Sequence, residues 1–390
     1  MKIVDVSALY SPKGGGIRTY TQRKMAAAQR LGHDITIIVP GADDSVEVVG
    51  PRARLINIPS PRFPLDRNYF YFGNDAIIHE ALAARRPDFV EASSPWGSAT
   101  AVAEWPGKAP RALVMHADPM SAWAYRWLDG VASRKTIDKG FDWFWRHLRR
   151  LDSGFDAVIS ASPSLSARLI EGGLEHVQTV PMGVEAGIFS PRLRDPALRA
   201  RLLARCELPE DATLLVGVGR FSPEKRWPLV IAGAVAAGYS RPLGLVLVGD
   251  GHGRGKVLRA VGENPHVQLL APIADREEMA RLLASADMLV HGCEAETFSM
   301  VAAEARASGL PIVVPDGGGA GDQALDGAGV RYAAGDAASA ATAIGTAIER
   351  LPALRAAAVL AAPGVRTMDR HFAELFGLYA AICEGVRVAA

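Results

Sequence analysis

Short runs of β-branched and other apolar residues alternate along the chain with longer stretches in which apolar side chains recur at helical spacing. Residues 2–6, 35–39, 55–58, 89–91, 112–116 and 157–160 have the length and composition of buried strands. Helical spacing over 17–31, 75–86 and 135–151 fills gaps between them. Apolar strands separated by helices predict a parallel sheet, because each crossover must return over a face and cover it. A second series starts after 177–180, with strands at 214–218, 245–248, 267–270, 288–290 and 312–314. Between the two series stand Pro181-Met182-Gly183-Val184-Glu185 and Phe189-Ser190-Pro191, a punctuation that predicts a hinge. The Ala-rich stretch 337–362 keeps Ile344, Ile348 and Leu351 in helical register and is predicted to be helix, not linker. No short repeat of fixed period is present.

Composition adds bounds. A chain of 390 residues, 49% hydrophobic, has enough apolar surface for a core in each of two α/β domains. Its 43 basic and 42 acidic residues leave a net charge of +1, so no global field gathers nucleic acid. Cys206, Cys293 and Cys383 have neither disulfide-scaffold nor zinc spacing, which fits a reducing cytoplasm and no resident metal. The chain enters a strand at once and holds no apolar run of membrane-spanning length, so the expectation is a cytoplasmic protein, peripheral at the inner membrane face at most.

Candidate chemistry lies at strand ends. Glu294-Ala-Glu296-Thr-Phe298-Ser299-Met300 leads towards Glu304, with a helix expected from about Thr297. Its first N–H groups would point to the carboxyl end of the preceding strand, where open α/β sheets bind ligands and phosphate is favoured. On such a helix Glu296 and Glu304 would share one side, as acceptors for sugar and ribose hydroxyls. Alone the spacing says little, since a capping acid and a solvated glutamate would read the same. Gly217-Val-Gly219-Arg220-Phe-Ser222-Pro-Glu-Lys225 places two cations in one loop, suited to a departing diphosphate, although a pair of surface cations has the same spacing.

Gly249-Asp250-Gly251 ends another strand and offers close backbone approach to a base or ribose, or an ordinary tight turn. It is not a Walker loop, and no GxGxxG fingerprint occurs. Ser11-Pro-Lys-Gly14-Gly15-Gly16 joins the first strand to the first helix, either as a phosphate or acceptor loop or as a plain βα turn. His116 and Asp118 end a first-half strand and are candidates for positioning an acceptor, with a purely structural histidine as the alternative. The basic aromatic stretch 139–150 fits either membrane docking or, better, a core-facing helix with solvated arginines.

Taken together, GGGIRTY, VGRFSPEKR, LVGDG and ETFSMVAAEARASGLPIVV stand in the order and approximate spacing of glycosyltransferase family 4, and the chain resembles that family over nearly its whole length. The resemblance implies the GT-B fold, two Rossmann-like parallel-sheet domains facing across a cleft. It implies that Arg220 and Lys225 bind the donor diphosphate, Glu296 the transferred sugar and Glu304 the ribose, with the amides of Phe298, Ser299 and Met300 on the sugar phosphate. It also implies retention of configuration without a metal, and a last helix, here 368–385, that returns to the first domain. The domains would then be 1–183 plus 367–390 on the acceptor side and 184–366 on the nucleotide-sugar side. The expected activity moves a hexose from a UDP- or GDP-sugar to a lipid, lipid-linked or glycan acceptor. A sugar-nucleotide epimerase, a phosphorylase on the same fold and a non-catalytic nucleotide-sugar-binding protein are the alternatives. Two departures bear on the sugar: Ser299 stands where many relatives carry glycine, and the family's Gly-Gly-x-x-Glu reads Gly318-Gly319-Ala-Gly321-Asp322-Gln323.

Overall fold

The β-branched runs form two sheets, one in each of two compact units, in a computed structural model that describes residues 1–8, 10, 16–64, 69–118, 120, 128 and 134–385. One unit draws on the described residues of 1–119, 127–181 and 369–390, the other chiefly on Met182–Met368. The first sheet contains β1 (Lys2–Ser7), β2 (Asp34–Gly41), β3 (Ser45–Gly50), β4 (Ala53–Pro59), β5 (Phe89–Ser93), β6 (Arg111–Val114), β7 (Ala157–Ser160) and β8 (Val177–Thr179). Their order is β3-β4-β2-β1-β5-β6-β7-β8, parallel throughout except for the edge pair β3–β4. Strand β3, absent from the sequence reading, is solvated: Val46 and Val48 are exposed, so it lacks the buried run that marks the other strands.

The second sheet contains β9 (Thr213–Val218), β10 (Leu243–Val248), β11 (Val267–Leu270), β12 (Met288–Val290), β13 (Ile312–Pro315) and β14 (Gly329–Tyr332). Its order is β11-β10-β9-β12-β13-β14, all parallel. Numbered from β9, that is 3-2-1-4-5-6, the doubly wound order whose direction reverses between β9 and β12. Loops leaving the carboxyl ends of those two strands diverge to opposite faces and open a crevice between them, which is where such sheets take ligands. In the first unit β1 and β5 stand in the corresponding place.

Helix boundaries follow the sequence with two divisions. Residues 135–151, expected as one helix, form Arg134–Gly140 and Asp142–Asp152, separated at Phe141 just after Gly140. The Ala-rich stretch is helical as expected, over Ala337–Glu349 and Leu351–Ala361. The last helix, Met368–Cys383, packs on the first unit through buried Phe372, Leu375, Phe376 and Tyr379. Tyr379 stacks on Phe89 with ring centroids 4.0 Å apart and donates its hydroxyl to Glu91.

Candidate active site

The loop after β9 and the loop after β12 are stitched together by two ion pairs. Ser222 opens a short 3₁₀ turn over Pro223–Lys225, and Arg226, in the left-handed region at φ 47°, redirects the chain into the helix Trp227–Gly238. Trp227 anchors this bend from below, its Nε1 donating to the Arg220 carbonyl at 3.0 Å. The turn presents the Lys225 ammonium to Glu296, to which it donates a hydrogen bond. Next to it, Arg226 Nε donates to Glu294 at 2.9 Å. Arg220, by contrast, is exposed and makes no contact with either glutamate.

Burial alone would push the Glu296 carboxyl up. Lys225 and His291 outweigh it and hold the group well below the ordinary carboxylate range. Burial likewise works against the Lys225 ammonium, but Glu296 more than offsets it, so its pKa rises. The two sites therefore stabilise each other's charge. His291, fully buried, sits with Nε2 3.2 Å from Glu296 Oε1, and its pKa is lowered first by burial and further by Lys225. Tyr332 fixes the backbone at this point by donating to the His291 carbonyl at 2.7 Å.

The helix bearing Glu304 starts later than expected, at Met300, with Ser299 before it in the left-handed region at φ 66°. Glu296 is consequently a loop residue, and the expectation that it shares a helix side with Glu304 is incorrect. The reason lies in a second loop. Gly319 N–H donates to the Glu296 carbonyl at 2.7 Å, and Gln323 Nε2 donates to the Phe298 carbonyl at 3.2 Å, which ties 296–298 to the next loop as a bend outside the helix. Gly319 must be glycine here, because a Cβ would lie 2.5 Å from the Phe298 nitrogen. Glu304 itself is buried on the helix and is engaged by Arg276, whose guanidinium lies 4.9 Å over the Phe189 ring.

The glycines of 249–251 serve a contact within the protein. A Cβ on Gly249 would stand 2.0 Å from the Gly219 carbonyl oxygen, and one on Gly251 2.7 Å from that of Phe221. Hydrogen bonds from Phe221 N to Asp250 O at 2.8 Å and from Gly253 N to Phe221 O at 2.7 Å lock the two loops together. Asp250 is exposed, with Arg254 3.7 Å away.

In the first unit, His116 follows β6 and is largely buried. Its Nε2 lies 3.3 Å from Ser93 Oγ, and its ring meets Tyr20 edge-on at 4.9 Å. Burial pushes its pKa down to about 4, with Lys24 adding to the effect and Asp5 opposing it. Asp118 is paired with Arg168 at 3.1 Å, both mostly buried. Gly16 begins the helix Gly16–Arg30, whereas Gly14 and Gly15 lie outside the described residues. On the helix Asp142–Asp152, Phe144, Trp145, Leu148 and Leu151 are buried and only Trp143 among the large apolar residues is exposed, so the core-facing reading holds for most of that face.

His291, Cys293 and Glu296 bring three metal-ligating atoms within 4.8 Å of one another. Burial pushes the Cys293 thiol up to about 12 and Lys225 already pairs with Glu296, so an ion bound there would have to displace both a proton and the ammonium. Sequence reasoning gave no role to His291, Arg226 or Arg276, which acquire theirs through partners distant along the chain.

Family models of two kinds match the two halves, a glycosyl transferase 4-like domain over residues 15–184 and glycosyl transferases group 1 over residues 212–350. The chain belongs to glycosyltransferase family 4. It is 29% identical over 327 residues to a GDP-mannose-dependent alpha-mannosyltransferase of Mycobacterium tuberculosis, covering 82% of this chain and 80% of the relative. A GDP-mannose-dependent alpha-(1-6)-phosphatidylinositol dimannoside mannosyltransferase of the same species is 28% identical over 325 residues, 80% of this chain and 79% of the relative. Among solved structures, sucrose-phosphate synthase from Thermosynechococcus elongatus is similar at a TM-score of 0.74 and 18% identity, with 98% of this chain and 99% of that chain covered. Anabaena HepE in complex with UDP and glucose is similar at a TM-score of 0.69 and 18% identity, with 98% and 100% covered. The fold of this family 4 enzyme is thus GT-B, and its activity is glycosyl transfer. No helix among the described residues is long and apolar enough to cross a membrane.

Proposed function

We propose that this glycosyltransferase uses GDP-mannose, retains the configuration of the mannose, needs no metal ion, and acts on a lipid-linked acceptor. The observation that carries the reading is the Lys225–Glu296 pair between β9 and β12. The names of the relatives with 28–29% identity support the donor and the lipid acceptor, and an α product from an α-linked donor is retention.

In this reading Lys225 and Arg220 face the diphosphate, and the helix beginning at Met300 turns its first N–H groups towards it. Glu296 accepts from mannose hydroxyls and Glu304 from the ribose. The bond between the anomeric carbon and the diphosphate oxygen breaks, the acceptor oxygen bonds on the same face, and its proton passes to the departing phosphate. His116, neutral with a pKa of about 4, is suited to accepting a hydrogen bond from the acceptor hydroxyl and is too weak a base to take its proton at neutral pH. The negative charge that develops on the leaving group is met by Lys225, fixed before the reaction begins by its ion pair with Glu296.

GDP-mannose at a hundred times its Kd is expected to stabilise the protein by about 2.7 kcal/mol. UDP-glucose should give no shift, and GDP release should proceed in EDTA. Stabilisation and turnover with UDP-sugars instead, or loss of turnover on chelation, would overturn the assignment.

Peripheral contact with an anionic membrane belongs to the same reading and rests on Trp143, 56% exposed, beside exposed Arg146 and Arg150. Replacing Trp143 with alanine and both arginines with glutamate should release the protein from phosphatidylglycerol vesicles; equal sedimentation of variant and wild type would remove the membrane from the proposal.

A further inference from the structure

His291, Cys293 and Glu296, from one short stretch just past β12, bring a ring nitrogen, a thiol sulfur and a carboxylate oxygen within 4.8 Å of one another. The histidine is the anomaly among them. A buried neutral imidazole carries one N–H and one lone pair, and buried polar atoms are ordinarily paired. Neither ring nitrogen of His291 has a hydrogen-bond partner among the described residues, for Nε2 comes to 3.2 Å from Glu296 Oε1 without hydrogen-bond geometry. The ring is nevertheless held in place. Trp227 meets it edge-on at 6.5 Å, and Tyr332 ties down its carbonyl. At the adjoining Gly292 a Cβ would stand 2.6 Å from the Lys225 carbonyl oxygen, so this backbone has no room to move and satisfy the ring.

Zinc is the ion this set fits. It takes imidazole nitrogen, thiolate sulfur and carboxylate oxygen together, at about 2.0–2.3 Å in a tetrahedron, whose edges are then about 3.3–3.6 Å. His291 Nε2 and Glu296 Oε1 already stand near such an edge, and the sulfur has to close in from no more than 4.8 Å. A thiolate and a carboxylate balance the two charges of the ion, so burial exposes no lone charge to an apolar medium. The fourth position stays open to water.

We propose that His291, Cys293 and Glu296 form a zinc site that inhibits the enzyme reversibly, the ion taking the place of the Lys225 ammonium on Glu296. As zinc binds, a sulfur–zinc bond replaces the S–H bond of Cys293, whose proton goes to solvent, and Lys225 leaves the carboxylate with its charge intact. Glu296 is then lost to the sugar, and Lys225 is no longer fixed against the leaving group. The inhibition rests on the donor reading above, whereas the metal site itself does not.

The test uses the full chain, stripped with EDTA and dialysed, with Co²⁺ and Zn²⁺ as probes. Cobalt should give thiolate-to-metal charge-transfer absorption in the near ultraviolet, and zinc should displace it. Cys293→Ser should abolish that band, whereas Cys206→Ser combined with Cys383→Ser should keep it. Zinc affinity, measured by competition with a chromogenic chelator, should fall about tenfold to a hundredfold or more in His291→Gln. With zinc at ten times its Kd, release of GDP from GDP-mannose should fall about tenfold and recover in EDTA; in Cys293→Ser the rates with and without zinc should agree. No thiolate band in the wild type, or a band that disappears with Cys206 and Cys383, would overturn the site. Zinc-loaded protein that turns over at the zinc-free rate would overturn the inhibition. Zinc-free wild type that releases no GDP, with the cobalt band present, sinks the donor reading and the inhibition built on it but leaves the zinc site standing.

Discussion

Lys225→Met should lower kcat/KM for glycosyl transfer about a thousandfold, the upper end of what removal of one fixed electrostatic group costs an enzyme. The ammonium is held on the Pro223–Lys225 turn and bonded to Glu296 before any substrate arrives, so no reorganisation is needed when charge develops on the leaving diphosphate. Its loss removes that charge and also releases Glu296, the carboxylate proposed to orient the sugar. The fold should survive, because His291 lies 3.2 Å from the same carboxylate and is kept neutral partly by Lys225; without the lysine it takes up a proton more readily and replaces part of the missing charge. Stability gives an independent check. Glu296 has a folded pKa below its usual 4.5, so the stability it contributes is present above that pH and is lost as pH falls through the folded value. The gap in melting temperature between wild type and variant should therefore narrow below about pH 4.5. Steady-state kinetics that put the variant within threefold of wild type would take Lys225 out of the site.

What could be read in advance depended on whether a feature was encoded locally. Parallel strands buried on both faces are short apolar runs, and those from β9 to β13 were found to within two residues at each end. Lys225 and Glu296 could be singled out because each sits just past such a run. The start of the helix at Met300 could not, since the left-handed turn at Ser299 is imposed by Gly319 and Gln323, some twenty residues later. The pairing of Glu304 with Arg276 and the stacking of Arg276 on Phe189 depend on elements brought together only by the fold. The glycines 249 and 251 were expected to admit a base or ribose, or to form a tight turn, and what the fold brings up against them is the protein's own 219–221 backbone. Sequence reports that a backbone must come near, and the fold alone reports whose.

The second large effect lies in the first unit, in a group that the sequence did not single out. Lys24 is completely buried between Asp5, at 2.9 Å, and Glu91, both buried as well. Ser93 Oγ donates at 3.1 Å to Asp5, and Tyr379 brings the last helix onto Glu91. Burial raises the pKa of Asp5, Glu91 raises it further, and Lys24 opposes both. The ammonium thus balances two carboxylates in a medium that solvates neither, and removing it leaves uncompensated buried charge. Lys24→Met should cost about 3–5 kcal/mol at pH 8, measured by urea unfolding. The pH dependence follows from the sign of the shift. A carboxylate with a raised folded pKa favours the native state below its unfolded value, near 3.8 for Asp5, and loses that contribution as pH rises through the folded value. Without Lys24 the Asp5 carboxyl moves further in that direction, so the variant should be most stable in mild acid and its deficit should widen from pH 5 to pH 8. Adding Glu91→Gln should recover part of the loss, because the amide oxygen still accepts from Tyr379 while one of the two negative charges is gone. If instead Lys24→Met unfolds at the wild-type urea concentration across this range, the three groups do not carry the charges assigned to them, and the last helix is held chiefly by its apolar contacts, Phe372, Leu375, Phe376 and the Phe89–Tyr379 stack.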